Sequence, residues 1–316
     1  MTRADAAPAP GPPAAAPGNE PAGIVGAIAA VTAWGLGNVI IAAVPLNGLA
    51  IAFHRLWTGS LLYVAVLYLS GRHLSRESFR LGWKGGVAFG ANIATFFVAV
   101  RLTTVASAVT ISALQPVVIL GFAAVMFGER IRLRHLTSTV VAVAGVALVT
   151  FGATDVGGGD RLGDLIAVLA LFSWAAYFIA SKQARRHLDT LEYMAVLNVV
   201  AFVVVAPVAL LTGSLSGTEG HLTPTIYLAI LAIVLLPGSG HILMNWAHAH
   251  VTLVLASLIT LALPVISTTA AAVFLDQEVS AVQVIGIVVV LAALAVVIVG
   301  DARDGGEAVE ATEPAP

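Results

Sequence analysis

The chain has 316 residues, 59% of them hydrophobic and 10% charged, with a net charge of -2 and no cysteine. A soluble domain carries about 25% charged residues, so this composition excludes a water-solvated surface; zero cysteines exclude disulfides and thiolate metal sites. The absence of net positive charge argues against a nucleic-acid partner, and lipid bilayer is the implied solvent.

Backbone polar groups in lipid must pair within helices or a closed barrel. Barrel strands would alternate polar and apolar over about 10 residues. The apolar runs here are continuous and about twice that length, which selects helices. Residues 1–22 are Ala/Pro/Gly-rich and are expected to be a disordered tail. Ten spans follow, at 23–44, 49–70, 84–101, 104–127, 133–152, 162–181, 191–212, 224–246, 252–275 and 280–300. Pro45 and Asn47-Gly48 mark the first turn, Gly157-Gly158-Gly159-Asp160 fall in a 153–161 linker, and residues 301–316 form a second tail, acidic and Pro-ended.

Lys and Arg set the orientation. With the N-terminus inside, 12 of the 15 fall on the cytoplasmic side, leaving Arg55, Arg101 and Arg161. The positive-inside rule then places both termini in the cytoplasm.

The chain repeats itself. Pro116 falls on Pro264, Ala99 on Ala247, Ala108 on Ala256 and Gly90 on Gly238, all 148 positions apart; Gly23 falls on Gly163 and Trp34 on Trp174, 140 apart. The repeats, 23–152 and 162–300, hold five spans each. An odd number inverts the second half relative to the first, the design of a transporter that alternates between two mirror-related states.

Several residues could carry the work. Pro116 and Pro264 each free a helix carbonyl, as a hinge and cavity wall or as a packing kink. Arg55 lies about six residues from the outer end of its span; it could face a cavity and grip a substrate carboxylate, or snorkel to the interface. Pro237, Gly238 and Gly240 crowd three breakers into four residues and are expected to open the eighth span locally, opposite Gly90 and Asn92 in the third. Asn92, Gln115 and Asn245 could bond a polar substrate or bridge helices. Trp34, Asn38, Trp174 and His241 complete the candidate wall, drawn from spans 1–4 and 6–9. His241, His248 and His250 lack an accompanying Cys, Asp or Glu and read as interfacial histidines, so neither metal nor cofactor is expected. Glu129, Asp276 and Glu278 sit at helix ends, suited to capping or surface ion pairs. The Gly86–Gly90 GxxxG and small residues in the fifth and tenth spans (Ala142, Gly145; Ala292, Ala295) suit internal packing or a homodimer.

Taken together, Trp34, Ala99-Val100-Arg101-Leu102-Thr103, Leu114-Gln115-Pro116-Val117 and Phe127-Gly128-Glu129-Arg130, in this order and in two halves, resemble the EamA-type branch of the drug/metabolite transporter superfamily over roughly residues 23–300. The resemblance implies a secondary transporter of a small polar or amphipathic metabolite, often an exporter of amino acids or related compounds. The family pattern commonly has Glu before the proline, where this chain has Gln115 and Leu263; opposite Glu129 the second half has Gln277. A nucleotide-sugar or phosphorylated-metabolite exchanger is an alternative within the superfamily and would need several cavity cations. A membrane-embedded enzyme would need clustered acid/base or metal groups. The Ala/Val-rich, Lys-poor composition suggests a GC-rich bacterial genome, hence the bacterial inner membrane.

Overall fold

The computed structural model describes residues 20–103, 108, 111–152, 161–213, 223–276 and 278–310. Residues 1–19, the Gly157–Asp160 linker, most of the 212–224 loop, Gln277 and the last six residues lie outside that set. Every regular element described is helical: α1 (Glu20–Ala43), α2 (Gly48–Leu69), α3 (Arg76–Leu102), α4 (Gln115–Phe127), α5 (Leu133–Phe151), α6 (Arg161–Ala184), α7 (Thr190–Leu211), α8 (Pro224–Ala247), α9 (Leu253–Ile259), a 3-10 turn at Thr260–Ala262, α10 (Leu263–Leu275) and α11 (Ala281–Glu310). Among the described residues eight stretches are long and apolar enough to cross a membrane, α9 and α10 counting as one. α3 and the short α4 occupy the two remaining span positions, α3 beginning with the charged turn Arg76-Glu77.

Local chemistry sets the helix ends. Asn47 caps α2 by accepting from the Ala50 N–H, Ser75 and Ser78 form a reciprocal capping box on α3, and Asp189 caps α7. Each satisfies orphan donors of a first turn. α4 and α10 end alike: Gly128 (φ 67°) and Asp276 (φ 53°), 148 positions apart, both adopt the left-handed conformation. Glycine does so freely, and Asp is among the few other residues that tolerate it.

The two halves are related by an inverted two-fold. α3 packs on α6 as α1 packs on α8; α4 on α6 as α10 on α1; α2 meets α7, and α5 meets α11. One contact shows the copy in detail. Gly23 abuts His250 and Val251, while its mate Gly163 abuts Leu102 and Thr103, and each partner pair is again 148 apart. The first contact lies at the arginine-rich end of the bundle, where Arg134 pairs with Asp301 and Arg72 with Asp189. The second lies at the opposite end, where Thr103 donates to Asp164 at 2.6 Å. The second half is therefore upside down relative to the first.

Two expectations change, and one open alternative is narrowed. Residues 237–240 do not open α8, which is helical throughout Pro224–Ala247. Pro237 removes one backbone N–H, but the glycines that follow serve close approach: a Cβ on Gly240 would sit 2.7 Å from the Ala30 carbonyl oxygen and from the Trp34 ring. The tail is not irregular from Asp301, because α11 continues to Glu310. The small-residue faces of α3 and α5 are occupied within the chain. Gly86 and Gly90 lie against Val200 and Ala201 of α7, and Gly145 against Gly286 of α11, backbone to backbone. Ala292 and Ala295 face outward.

Both proline helices are interrupted at matched places. Pro116 lies in the first turn of α4 and Pro264 in the first turn of α10, directly after the 3-10 turn. A first-turn proline costs no hydrogen bond of its own, since that N–H would have no helical partner.

Candidate functional site

The inner faces of α1, α2, α3, α6, α7 and α8 converge on Arg55. Its position in α2 puts Gly59 and Tyr63 on the same face, four and eight residues on. α8 contributes Val234, Gly238, His241 and Asn245 at helical spacing. All of these but Asn245, with Phe89, Met194 and Asn198, surround a gap of about 10 Å³, room for roughly one water molecule. The conformation is thus closed around the site. A site for a small organic solute needs hundreds of Å³, so solute entry requires the helices to part.

Arg55 does not snorkel. It is 9% exposed, and its Nη2 lies 2.9 Å from His241 Nε2. Its guanidinium also sits 5.6 Å over the Phe89 ring, a cation–π contact. A guanidinium has only donors, so His241 Nε2 must be the acceptor. Neutral His241 then carries its proton on Nδ1, which faces Tyr177 Oη at 3.3 Å. Asn245 Nδ2 donates to the same hydroxyl at 2.9 Å. Among the described residues no carboxylate faces Arg55; the titratable groups around it are His241, Tyr63 and Tyr177.

Aromatic rings close the surroundings. Trp34 and Trp174, mates in the repeat, meet edge to face with centroids 5.7 Å apart. They touch where the two-fold brings α1 and α6 together. The Trp34 ring also lies 4.8 Å from that of His241, and its Nε1 donates to the Pro237 carbonyl at 3.1 Å. Tyr63 Oη donates to the Gly238 carbonyl at 3.3 Å. Trp34 and Tyr63 thus tie α1 and α2 to the Pro237 and Gly238 carbonyls of α8, beside a proline whose missing N–H deprives the Ile233 carbonyl of its usual helical donor.

Other candidates stand apart from this cluster. Asn92 is buried and donates to the Ala170 carbonyl of α6 at 3.0 Å, an interhelical bridge. Asn38 is exposed and donates to Ser267 Oγ at 2.9 Å. Gln115 bonds Thr260 Oγ1 at 3.2 Å, between the two interrupted helices; its Nε2 is buried with no partner among the described residues. The structure gives no side-chain position for Arg101. Tyr63, Phe89, Tyr177, Met194 and Asn198 join the site only through the fold. The spacing of Tyr63 from Arg55 and of Tyr177 from Trp174 was a usable signal, since residues three, four and eight apart share a helix face.

Two of the three histidines are buried, while His250 is half-buried at the arginine-rich end. His241 is 6% and His248 2% exposed. His248 follows α8 outside the spans, its ring against Phe178 at 4.8 Å and both ring nitrogens without a partner among the described residues. Burial, then Lys182 and Arg185, push its pKa down to about 3. Burial likewise holds the nearby Arg185 below its usual range. No group of three His, Asp or Glu among the described residues is placed to hold a metal ion.

Glu129 also differs from its companions. Its carboxylate accepts from the Leu253 and Val254 N–H groups, at 2.6 and 3.0 Å, and lies 3.6 Å from Lys182 Nζ. A carboxylate from the first repeat thereby caps α9 of the second at the arginine-rich end, where a helix N-terminus favours negative charge. Asp276 and Glu278 are exposed at the other end.

No curated protein matches this chain. A solved structure named "Crystal structure of protein" superposes with a TM-score of 0.75 at 21% identity, over 90% of this chain and 99% of its own; at that identity the likeness speaks for the fold alone. The sequence pattern of the EamA-like transporter family matches residues 21–151 and again 161–299, the two halves that the inverted two-fold relates. A multi-pass helical chain with this duplication belongs to the EamA-like transporter family.

Proposed function

We propose that the protein is a secondary transporter that moves a small carboxylate-bearing metabolite, an amino acid or related compound, outward across a bacterial inner membrane by alternating access, with both termini in the cytoplasm. The observation that carries this reading is Arg55: a guanidinium buried among helices, held by a neutral imidazole and facing no carboxylate among the described residues. A charge in the membrane interior is costly unless paired. A carboxylate solute would supply the missing counter-ion through a bidentate bond, while Trp34, Phe89 and Tyr177 offer apolar faces to its remainder. The same site favours one carboxylate over a diphosphate, for which a single guanidinium is a poor match.

The test compares solutes released by cells expressing the intact protein, Arg55→Lys and Arg55→Gln at matched membrane abundance. Release of one carboxylate solute should depend on the intact protein, weaken with Lys, which keeps charge but not the planar fork, and vanish with Gln. Unchanged release with Gln would remove Arg55 from the solute site.

A further inference from the structure

The Arg55–His241 bond exists only while His241 is neutral, because Nε2 must accept. Among the described residues the groups facing the imidazole are neutral or cationic: Trp34 from α1, Arg55 and Tyr63 from α2, Phe89 from α3, Tyr177 from α6, and Asn245 one turn further along α8. A proton on Nε2 would turn the acceptor into a donor, break the bond and set two cations at 2.9 Å. An anion seated on Arg55 changes both terms. It cancels the guanidinium charge that opposes protonation, and it offers an oxygen to which a protonated Nε2 can donate.

We propose that His241 takes up a proton when an anionic group binds Arg55, so that solute and proton cross the membrane together. This rests on Arg55 as the solute site. Linkage makes the effect reciprocal: anion binding favours the proton by the same factor as the proton favours the anion. The coupling also has a directional consequence. Outward flow carries protons outward, against an inward proton gradient, so export runs on the solute's own accumulation and acts as a release valve rather than a proton-driven pump. No titratable carboxylate is required for this, which fits a bundle whose described acidic side chains lie at its ends.

The test uses the full-length protein in lipid nanodiscs with 15N-labelled histidine. The His241 ring signals are assigned by their loss in His241→Gln. In zwitterionic buffer without acetate they should report a neutral ring protonated on Nδ1. Sodium acetate, as the smallest carboxylate probe, should raise the ratio of protonated to neutral His241 at fixed pH by about tenfold, within the usual range for coupled sites. Arg55→Lys should keep the response and Arg55→Gln should lose it. A ratio that acetate leaves unchanged, the same response in Arg55→Gln, or an acetate-free ring protonated on Nε2 would each overturn the proposal. Should acetate act on His241 as expected while cells release no carboxylate solute, proton coupling at the site stands and the metabolite-export reading falls.

Discussion

Gly238 and Gly240 are two residues apart in α8, and the fold assigns them different jobs that alanine scanning can separate. A Cβ on Gly240 would lie 2.7 Å from the Ala30 carbonyl oxygen and 2.7 Å from Trp34 Cδ1 and Nε1; on Gly238 it would meet Tyr63 Oη at 3.2 Å and the Ile233 carbonyl oxygen at an ordinary 3.9 Å. The Ala30 oxygen is backbone and cannot swing aside, so Gly240→Ala forces α1 and α8 apart by about 0.7 Å to reach ordinary contact. That movement stretches the Trp34–Pro237 hydrogen bond of 3.1 Å past useful length. Overpacking of this kind costs about 1–3 kcal/mol, and the lost hydrogen bond adds about 1 kcal/mol. Both substitutions gain about 1 kcal/mol of helix propensity. The net expectation is a loss of about 1–3 kcal/mol for Gly240→Ala and a change within about 1 kcal/mol of zero for Gly238→Ala. In thermal melts of purified protein in nanodiscs, Gly240→Ala should fall by roughly 2–8 °C while Gly238→Ala stays near the parent. Equal losses for both variants would mean that the glycines serve to break α8 rather than to admit α1, and the packing argument would fail.

Two further outcomes follow from the arginine-rich end. Glu129→Gln keeps an acceptor for the α9 N-terminus but loses the charge that faces the helix dipole and Lys182, so it should destabilise by about 1–2 kcal/mol; Glu278→Gln, at an exposed residue of the opposite end, should be neutral in the same melts. His248 supplies a pH dependence. In the unfolded chain it protonates below about 6.5, whereas in the fold it stays neutral down to about 3. Its contribution to stability is therefore complete above the unfolded value and is lost as pH falls from there toward 3, at up to ~1.4 kcal/mol per unit. Subtracting the melting profile of His248→Leu from that of the parent should leave a slope in that window and none above pH 7; a flat difference would refute the buried neutral imidazole.

Composition, run length and the positions of Lys and Arg were enough to establish a helical membrane bundle, and two fixed offsets were enough to establish its inverted duplication. Those features are one-dimensional: lipid demands internally bonded backbone, and a repeat is a property of spacing. The offsets of 140 and 148 relate equivalent positions but not their contacts: only the fold shows that Gly23 meets His250 and Val251 as Gly163 meets Leu102 and Thr103. The site was legible only in part. Arg55 and His241 stood out because polar residues are rare in such runs, but their pairing could not be read, since they lie 186 positions apart and no pattern along a chain encodes which faces of two helices converge. The same holds for Pro237-Gly238-Ser239-Gly240. Local propensity marks it as a break, yet α8 runs through it unbroken, with Trp34 and Tyr63 bonded to its carbonyls and Ala30 and Trp34 packed where Gly240 lacks a Cβ. Tertiary packing also decided that Asn92 bridges to α6 and that Glu129 caps a helix of the other repeat. Sequence chemistry determined what each group can do; the meeting of six helices determined that the Arg55 guanidinium and the His241 imidazole lie against each other.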